Sequence, residues 1–288
     1  MENSRFYYSG LELGGMKMKG GIHKCCLCGS GKYFLVGAYD RAAPRENDFG
    51  IPGFSRSIFR CSSCDVFFND RDYPFDYKSD YNQATYCNKL RQVYDRIMAL
   101  PPEASDNVQR VKRIIEFTRR AGFDRHMKIL DVGSGLSVFA GRLIACGYEN
   151  CAVIDPSPLS VNHARDYAGV KTAVTGELKD WNENDKVDLI CFNKVLEHIK
   201  DPVQVLGLAG KMLTAEGIAY IELPDGENAV KNGSAWEREE FFAGHYTAFS
   251  QKSLEYLVDH AGFEILQSQA IHEPSDKYTI YAFLQLKR

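Results

Sequence analysis

Residues 129–139 read ILDVGSGLSVF, an apolar run followed by two glycines that are one residue apart. The run is short enough for a buried strand, and the apolar residues behind it recur at helical spacing. This pattern predicts a strand, a tight loop and a helix. Glycines let the loop backbone adopt positive φ and approach a ligand closely, and the helix N-terminus offers unpaired N–H groups. The stretch therefore predicts a ligand-binding loop, although an ordinary strand-to-helix turn has the same pattern.

The residues after the two glycines disfavour two common nucleotide loops. A dinucleotide loop has a glycine or alanine three residues after Gly135, where this sequence has Val138. A P-loop ends in Gly-Lys-Ser or Gly-Lys-Thr, and this loop does not. The sequence therefore disfavours NAD, FAD and ATP as ligands of the loop.

Apolar runs alternate with helical patterns through the rest of the chain. Strands are predicted at KILDV, CAVID, KTAVT, VDLICFN and GIAYIEL and, after a last helix, at GFEILQS and YTIYAFLQLK. Such alternation is typical of a parallel sheet that is covered on both faces. No helix separates the last two runs, so we expect an antiparallel hairpin at the sheet edge. The predicted fold class is α/β, with a Rossmann-like, mostly parallel sheet of seven strands.

The composition is that of a globular protein. Hydrophobic residues make up 44% and charged residues 25% of the 288 residues, which are ordinary values. There is no apolar run near 18 residues and no charged-then-apolar leader, so we expect a cytoplasmic protein. The net charge of −3 gives no overall attraction to phosphate backbones, which disfavours nucleic acid as a partner.

Two Cys-x-x-Cys pairs, CCLC at 25–28 and CSSC at 61–64, precede the predicted sheet. Four thiolates fill the tetrahedral shell of Zn²⁺ and leave no open position, so a structural zinc site is predicted at Cys25, Cys28, Cys61 and Cys64. Cys26 could replace Cys25, and an iron site or a redox pair are alternatives. The 32 residues between the pairs either reach over a neighbouring site or form a solvated loop.

Changes in composition divide the chain into three predicted regions. Residues 1–24 are glycine-rich and aperiodic and predict a tail, and residues 25–78 predict a small zinc-ribbon module. Residues 79–288 begin with two helical patterns and continue into the α/β domain. The remaining cysteines are predicted to be core thiols: Cys87, Cys146, Cys151 and Cys191.

The second helical pattern is locally basic. Asp106 is predicted to cap this helix and Gly122 to end it. Its arginines, among them Arg110 and Arg113, predict a solvated helix face or, alternatively, a contact with a nucleotide diphosphate or another polyanion.

Two acids narrow the ligand of the glycine loop. Asp155 ends the second strand of the α/β domain, where a carboxylate can accept hydrogen bonds from both hydroxyls of a ribose. Asp131 lies two residues before Gly133, where a negative charge repels a pyrophosphate but attracts an ammonium or sulfonium group. This charge pattern favours S-adenosylmethionine over a dinucleotide.

At these residues the sequence resembles the class I S-adenosylmethionine-dependent methyltransferases. The resemblance rests on DVGSGLS at 131–137, Asp155, FNKVLEHIKDP at 192–202 and PDGEN at 224–228, and it covers roughly residues 107–288. The usual family loop has a third glycine where this chain has Ser137. The resemblance implies that Glu177 lies near the adenine, and it implies a set of cofactor-binding residues: Asp131, Gly133, Ser134, Gly135, Asp155, Asn193 and Lys194.

With the cysteine pairs included, the sequence is similar to the zinc-ribbon methyltransferases that modify sugar nucleotides. This similarity implies that tyrosine-bearing helices after the ribbon cap the cofactor, with three candidates: Tyr77, Tyr81 and Tyr94. The longer sugar C-methyltransferases of this group carry a His-Glu-His run on the substrate side, where this chain has Ala243-Gly244-His245. Only the last histidine of that run is present, which disfavours carbon as the acceptor atom. The similarity implies that the acceptor is a hydroxyl, or less favourably a carbon, of a sugar nucleotide or a related metabolite.

The acceptor must lose a proton, and a histidine that titrates near neutrality suits that role. His245 is the first catalytic candidate, because aromatic residues that could line a substrate pocket lie near it in sequence: Trp236, Phe241, Phe242 and Tyr246. Glu197 and His198 are the second candidates, although in the wider family this Leu-Glu-His run often shapes the helix after the fourth strand.

Two other functions compete with this one. A ribosomal RNA methyltransferase could use a zinc ribbon to hold the RNA, but the negative net charge and the lack of a continuous basic stripe disfavour it. A binding module that no longer catalyses is the other alternative. It is disfavoured because the chain retains the acids and glycines of the cofactor loop.

Overall fold

The computed structural model of the protein describes residues 24–44, 46, 54–71 and 89–288. Within these ranges, no helix has both the length and the apolar composition that crossing a bilayer requires. The predicted tail and the predicted boundary at residues 78 and 79 lie almost wholly outside the described residues, so both stay predictions.

The cysteine-rich segment forms a small antiparallel sheet. We call residues 24–44, 46 and 54–71 the cysteine module. Its strands follow one another along the chain: β1 (Tyr33–Tyr39), β2 (Arg56–Cys61) and β3 (Phe67–Arg71). Aromatic and β-branched residues, which favour strands, fill its interior, and Ile58 and Phe59 are buried there.

The larger sheet contains seven of the described strands. Five run parallel: β4 (Ile129–Val132), β5 (Cys151–Asp155), β6 (Thr172–Thr175), β7 (Val187–Asn193) and β8 (Leu213–Pro224). An antiparallel hairpin pairs with β8 at one edge and consists of β10 (Phe263–His272) and β11 (Tyr278–Leu286). The order across the sheet is β10-β11-β8-β7-β4-β5-β6. The predicted α/β fold with a closing edge hairpin is confirmed.

Helices cover both faces of this sheet, because alternate residues of each strand point to opposite sides. Ile129 and Leu189 face a core that contains residues of four helices: α1 (Leu90–Met98), α2 (Asp106–Arg120), α3 (Val138–Ala145) and α4 (Pro158–Asp166). Leu130 and Ile190 face the opposite core, to which α5 (Pro202–Gly210) and α7 (Gln251–His260) contribute. The short α6 (Gly226–Lys231) follows β8 directly.

The cysteine module is joined to the larger sheet by strand pairing and by a shared core. Strand β9 (Thr247–Ala248) follows β8 in sequence and pairs with β3, with Phe67 opposite Ala248. Buried residues of the module, including Val66 and Phe68, belong to the same hydrophobic cluster as Leu223 and Phe249. The module therefore packs directly on the α/β domain.

Two arginines of helix α2 depart from their predicted environment, whereas Arg119 and Arg120 of the same helix are exposed as predicted. Arg110 and Arg113 do not lie on a solvated face. Both bind Glu222 of β8, with Arg110 Nε 2.8 Å and Arg113 Nη2 2.7 Å from its carboxylate. Glu222 is fully buried, so the two guanidinium groups are needed to compensate its charge. The helix is also capped by Ser105, whose Oγ accepts from the amide of Val108, and not by Asp106.

The cysteines outside the two pairs differ in exposure. Cys151 and Cys191 are buried core thiols as predicted, whereas Cys146 is exposed just after α3. The prediction was wrong for Cys146 because the helix ends at Ala145 and the turn that follows faces solvent. Cys87 lies outside the described residues.

Candidate active site

The loop between β4 and α3 has the conformation that its glycines permit. Gly133 and Gly135 have φ values of 69° and 49°. A Cβ atom on Gly133 would come within 2.8 Å of the Val195 side chain, so this position has no room for a larger residue. Ser137, which stands where the family loop has its third glycine, also has a left-handed φ of 55°. The backbone at Ser137 thus adopts a left-handed conformation that glycine usually provides.

Asp155 lies at the end of β5 beside this loop. Its Oδ2 accepts a hydrogen bond from the Gly135 amide at 2.9 Å, and its Oδ1 accepts one from the Ser157 amide at 2.8 Å. Burial raises the pKa of Asp155, and the two amides oppose that rise. Each oxygen keeps a second lone pair, and Asp155 lines the adjacent cavity. The carboxylate is therefore oriented and able to accept hydrogen bonds from a ribose.

Asp131 lies behind the wall of the cavity. It is 2% exposed, and its Oδ1 accepts a hydrogen bond from Asn193 Nδ2 at 2.9 Å. Burial raises the pKa of Asp131 to about 7, although the Asn193 amide opposes the rise. Asn193 itself lines the cavity, as does Lys194, whose ammonium is 3.4 Å from Glu273. Asp131 therefore does not line the cavity itself but is hydrogen-bonded to Asn193, which does.

One cavity of about 1270 Å³ joins the predicted cofactor loop to the predicted catalytic residues. Its loop side includes Gly133, Ser134, Gly135 and Asp155, with Gly176 and Glu177 beyond β6, and its other side contains Glu197, His198 and His245. Single-ligand pockets have volumes of roughly 300–1,000 Å³. The cavity therefore has room for a cofactor and a small acceptor together.

The three catalytic candidates meet at this cavity although they are far apart in sequence. Glu197 and His198 lie in a 3₁₀ turn after β7, Leu196–His198, and His245 precedes β9. The amide of Tyr246 donates to the Glu197 carbonyl at 2.7 Å and holds the two segments together. One side-chain ligand atom of each candidate lies within 4.8 Å of the others. The geometry places one carboxylate and two imidazoles side by side.

Backbone carbonyls orient both imidazole rings. His198 Nδ1 is 2.8 Å from the Gly244 oxygen, and His245 Nδ1 is 3.0 Å from the Glu240 oxygen. A carbonyl oxygen can only accept, so each Nδ1 carries a proton, and in the neutral form of each ring the lone pair is on Nε2. The rings are 4.8 Å apart and nearly perpendicular.

The cysteine module holds the chain segment that carries His245. Asn69 of β3 donates to the carbonyls of Phe241 at 3.1 Å and His245 at 2.9 Å. Glu46, from the insert between the cysteine pairs, accepts from the Ala243 amide at 2.6 Å. One residue of the insert therefore contacts the segment that carries His245, and no described residue of the insert lines the cavity. Sequence reasoning missed both Asn69 and Glu46, because an isolated polar residue in a turn-rich segment gives no signal of its target.

The predicted aromatic wall is present only in part. Tyr246 lines the cavity, whereas Phe241 is 1% exposed and packs edge-on against Phe67 at 5.5 Å. Trp236 donates from Nε1 to the Arg41 carbonyl at 3.2 Å and does not line the described cavity. The prediction was wrong for Trp236 and Phe241, which pack against the cysteine module, and Phe242 does not line the cavity either.

Three tyrosines were predicted to cap the cofactor, and two of them, Tyr77 and Tyr81, lie outside the described residues. Tyr94 of α1 is buried, stacks edge-on against His163 at 5.3 Å and does not line the cavity. Tyr94 therefore packs between helices.

The four predicted zinc ligands form a second cluster. Cys25 Sγ is 3.6 Å from Cys64 Sγ, and Cys28 Sγ is 3.5 Å from Cys61 Sγ. All four sulfurs lie within 4.8 Å of one another. Sulfurs bound tetrahedrally to Zn²⁺ at about 2.3 Å are roughly 3.8 Å apart. The donor set and its spacing therefore fit zinc, and the exposed Cys26 lies outside the cluster.

The chain is similar to known methyltransferases in sequence and in fold. Residues 105–268 match a family described as a methyltransferase domain, whereas no curated protein matches the chain. Magnesium protoporphyrin IX methyltransferase from Synechocystis PCC 6803, solved with bound SAH, is 14% identical. The two structures have a TM-score of 0.55, and the match covers 72% of this chain and 97% of that chain.

Two further solved structures share the fold. The 1,6-didemethyltoxoflavin-N1-methyltransferase of Burkholderia thailandensis is 15% identical with a TM-score of 0.53, over 78% of this chain and 98% of that chain. An S-adenosylmethionine-dependent methyltransferase from Clostridium acetobutylicum is 14% identical with a TM-score of 0.52, over 70% and 99%. The family match spans more than half of the chain. The protein therefore belongs to the methyltransferase-domain family and has the fold of the S-adenosylmethionine-dependent methyltransferases.

Proposed function

We propose that the protein is a cytoplasmic enzyme that methylates a hydroxyl, or a carbon, of a sugar nucleotide or a related small anionic metabolite. The observation that carries this proposal is the single cavity that runs from the glycine loop to Glu197, His198 and His245. A methyl donor held by the loop would lie next to an acceptor held by the three polar side chains. Alignment of the donor and acceptor at contact distance supplies much of the acceleration of such a displacement.

The loop side of the cavity fits S-adenosylmethionine, which supplies an activated methyl group and its own leaving group. Asp155 would accept hydrogen bonds from the ribose, and the backbone of Gly133 and Gly135 can approach the ligand closely. Asn193 would contact the methionine end and connect it to the negative charge of Asp131. Glu177 would lie near the adenine.

The acceptor side carries positive charge that suits an anionic metabolite. Lys200 lines the cavity beside Tyr246 and forms no ion pair with another described residue, and Lys211, at the C-terminal end of α5, also lines the cavity. The Lys200 ammonium lies 5.8 Å from the centre of the Tyr246 ring, over its face. A lysine beside an aromatic ring can bind a phosphate group while the ring packs against a sugar. A polynucleotide would need a longer basic surface.

His245 and His198 can take the proton that the acceptor loses. The carbonyls that accept from their Nδ1 atoms leave Nε2 basic in each ring, and both rings reach the cavity. Glu197, which is fully buried beside them, would stabilise an imidazolium once it forms. The cysteine cluster would hold Zn²⁺ in a structural role, because four thiolates leave no coordination position for an acceptor.

Production of S-adenosylhomocysteine tests the proposal. The zinc-loaded protein is incubated with S-adenosylmethionine and a panel of nucleotide sugars, with total RNA as the control acceptor. We expect turnover with at least one nucleotide sugar, and mass spectrometry of the product would locate the methyl group. Turnover with RNA alone would overturn the proposal and make the cysteine module a recognition element.

A further inference from the structure

A second group of metal-ligating side chains lies outside the cysteine cluster. Among the described residues, the two groups with ligand atoms at such spacing are the four cysteines and the set of Glu197, His198 and His245. The second set offers one carboxylate oxygen and two imidazole nitrogens, and it lies on the wall of the active-site cavity. We call it the Glu-His-His cluster.

Glu197 is the unusual member of this cluster. Its side chain is 0% exposed, and neither carboxylate oxygen has a hydrogen-bond partner among the described side chains and backbone groups. Lys194, a nearby cation, is 3.4 Å from Glu273 and forms no ion pair with Glu197. A buried carboxylate without a partner is costly, and a bound cation would remove that cost. Glu197 thus points to a positively charged occupant.

The two histidines have the arrangement of metal-bound imidazoles. A histidine that ligates a metal almost always donates its other ring N–H to a carboxylate, a carbonyl or water. His198 and His245 do so through Nδ1 to the carbonyls of Gly244 and Glu240. The two carbonyls fix the ring orientations and make Nε2 the coordinating nitrogen of both rings. The positioning by Asn69, which holds the His245 carbonyl at 2.9 Å, further restricts this geometry.

We propose that Glu197, His198 and His245 bind a divalent cation at the acceptor side of the cavity. Two imidazoles and one carboxylate suit a first-row transition metal such as Zn²⁺, Co²⁺ or Mn²⁺ better than they suit Ca²⁺. Three protein ligands leave coordination positions open toward the cavity, where the acceptor hydroxyl can bind. With Nε2 of both rings bound to the cation, neither histidine would take the acceptor's proton; the cation would instead orient the hydroxyl and lower its pKa, and the proton would pass to solvent. This effect on the acceptor rests on the proposed function, whereas binding of the cation does not.

Titration with Co²⁺ tests the proposal on the full chain. The protein is first loaded with one equivalent of zinc, so that the cysteine cluster is filled, and is then titrated while its absorption spectrum is recorded. We expect one further equivalent of Co²⁺ to give weak visible bands without the intense sulfur-to-cobalt band of a thiolate site. The proposal would be overturned if the zinc-loaded protein bound no Co²⁺, or if the bound Co²⁺ showed the sulfur-to-cobalt band.

Two variants and one control assign the Co²⁺ to the cluster. Glu197→Gln keeps the shape of the side chain, and His245→Asn removes one ligand. Each is expected to weaken Co²⁺ binding by about 100-fold or more, since even outer-shell changes typically cost 10-fold to 100-fold. His126→Asn, at an exposed histidine outside the cavity, should bind Co²⁺ as the unmodified protein does. Unchanged binding by Glu197→Gln and His245→Asn would overturn the assignment.

The failure of this inference can be told apart from the failure of the proposed function. Production of S-adenosylhomocysteine is measured before and after a mild chelator removes the second equivalent but leaves the zinc. Turnover that falls with the chelator and returns with added Co²⁺ supports the cation. Turnover that persists would reject a role for the cation while leaving methyl transfer to the small acceptor intact.

Discussion

Asp155 is oriented before a cofactor binds. Two backbone amides, from Gly135 and Ser157, hold its carboxylate at 2.9 and 2.8 Å. A group that is already ordered loses little entropy when it accepts further hydrogen bonds, so its interactions contribute more of their energy to binding. The cofactor affinity of the protein should therefore depend strongly on this one side chain.

We expect Asp155→Asn to weaken S-adenosylmethionine binding by roughly 10-fold to 100-fold, because a hydrogen bond to a charged group contributes about 1.5–3 kcal/mol. Calorimetry on zinc-loaded protein measures the change. Asp166→Asn, at an exposed aspartate that ends α4, is the matched control and should bind normally. Unchanged affinity in Asp155→Asn would show that the ribose assignment is wrong.

Asp131 would make cofactor binding depend on pH. Burial raises its pKa from 3.8 to about 7, so the folded chain binds the proton more tightly than the unfolded chain does. Asp131 therefore contributes stability at low pH that is lost as the pH rises through 7. A cationic cofactor favours the ionised carboxylate, and its affinity should change in the opposite direction.

The affinity of the unmodified protein for S-adenosylmethionine, relative to that of Asp131→Asn, should rise by up to about tenfold between about pH 6 and about pH 8. The reason is that the ionised fraction of a group with a pKa near 7 rises from about one tenth to about nine tenths over this range. Calorimetry at three pH values measures the ratio. A ratio that stays constant would mean that the charge of Asp131 does not reach the cofactor.

Helix α2 is fixed to strand β8 by charge as well as by packing. Arg110 and Arg113 share the carboxylate of Glu222, and Tyr220 donates its hydroxyl to the same carboxylate at 2.5 Å. Burial alone would raise the pKa of Glu222, but the two guanidinium groups lower it to about 2. The folded network therefore stays ionised far below pH 4.5, and its stabilising contribution is lost progressively as the pH falls from about 4.5 to about 2.

Arg110→Met should destabilise the fold by about 3–5 kcal/mol, since removal of one partner leaves a buried charge poorly compensated. Urea unfolding at neutral pH measures the free energy of unfolding. Lys112→Met is the matched control, because this lysine lies on the same helix with its side chain 68% exposed, and it should change stability by less than about 0.5 kcal/mol. Equal stability of the two variants would contradict a structural role for the ion pair.

The central sheet could be predicted from sequence because its signals are local. Each parallel strand is a short apolar run, and each helix that follows it has apolar residues at helical spacing. The environment of Arg110 could not be predicted in this way, because its partner Glu222 is 112 residues away. Strand β9 is only two residues long and pairs with β3 across the fold, so it has no pattern of its own. Glu197 and His245 could be identified as candidates from the sequence, but only the structure shows that they lie close together.

At the scale of the whole molecule, the cysteine module and the α/β domain share a core and a strand pairing. The module contacts the segment that carries His245 through Asn69 and Glu46. It does not contribute any described residue to the glycine loop side of the cavity. Disturbance of the module should therefore affect the acceptor side more than the cofactor side.

Cys61→Ser should release zinc, increase hydrogen exchange in residues 239–248 and abolish methyl transfer, while S-adenosylmethionine still binds. The physical reason is that Asn69 follows Cys61 and Cys64 on the next strand, and β3 loses its anchor when the metal leaves. Exchange is followed by mass spectrometry. Cys146→Ser, at an exposed thiol outside the cluster, should behave as the unmodified protein. Protection of residues 239–248 that is unchanged in metal-free Cys61→Ser would contradict the positioning role of the module.

Because Asn69 holds the segment that carries His245, the cysteine module and the glycine loop could mature at different times in the cell. A newly made chain that has not received its zinc would still present a formed glycine loop and Asp155. Such a chain would bind S-adenosylmethionine but could not transfer the methyl group to an acceptor. If the cysteine cluster holds zinc as proposed, zinc insertion would be the maturation step that converts a cofactor-binding protein into an enzyme, and a shortage of zinc would produce inactive, cofactor-loaded copies.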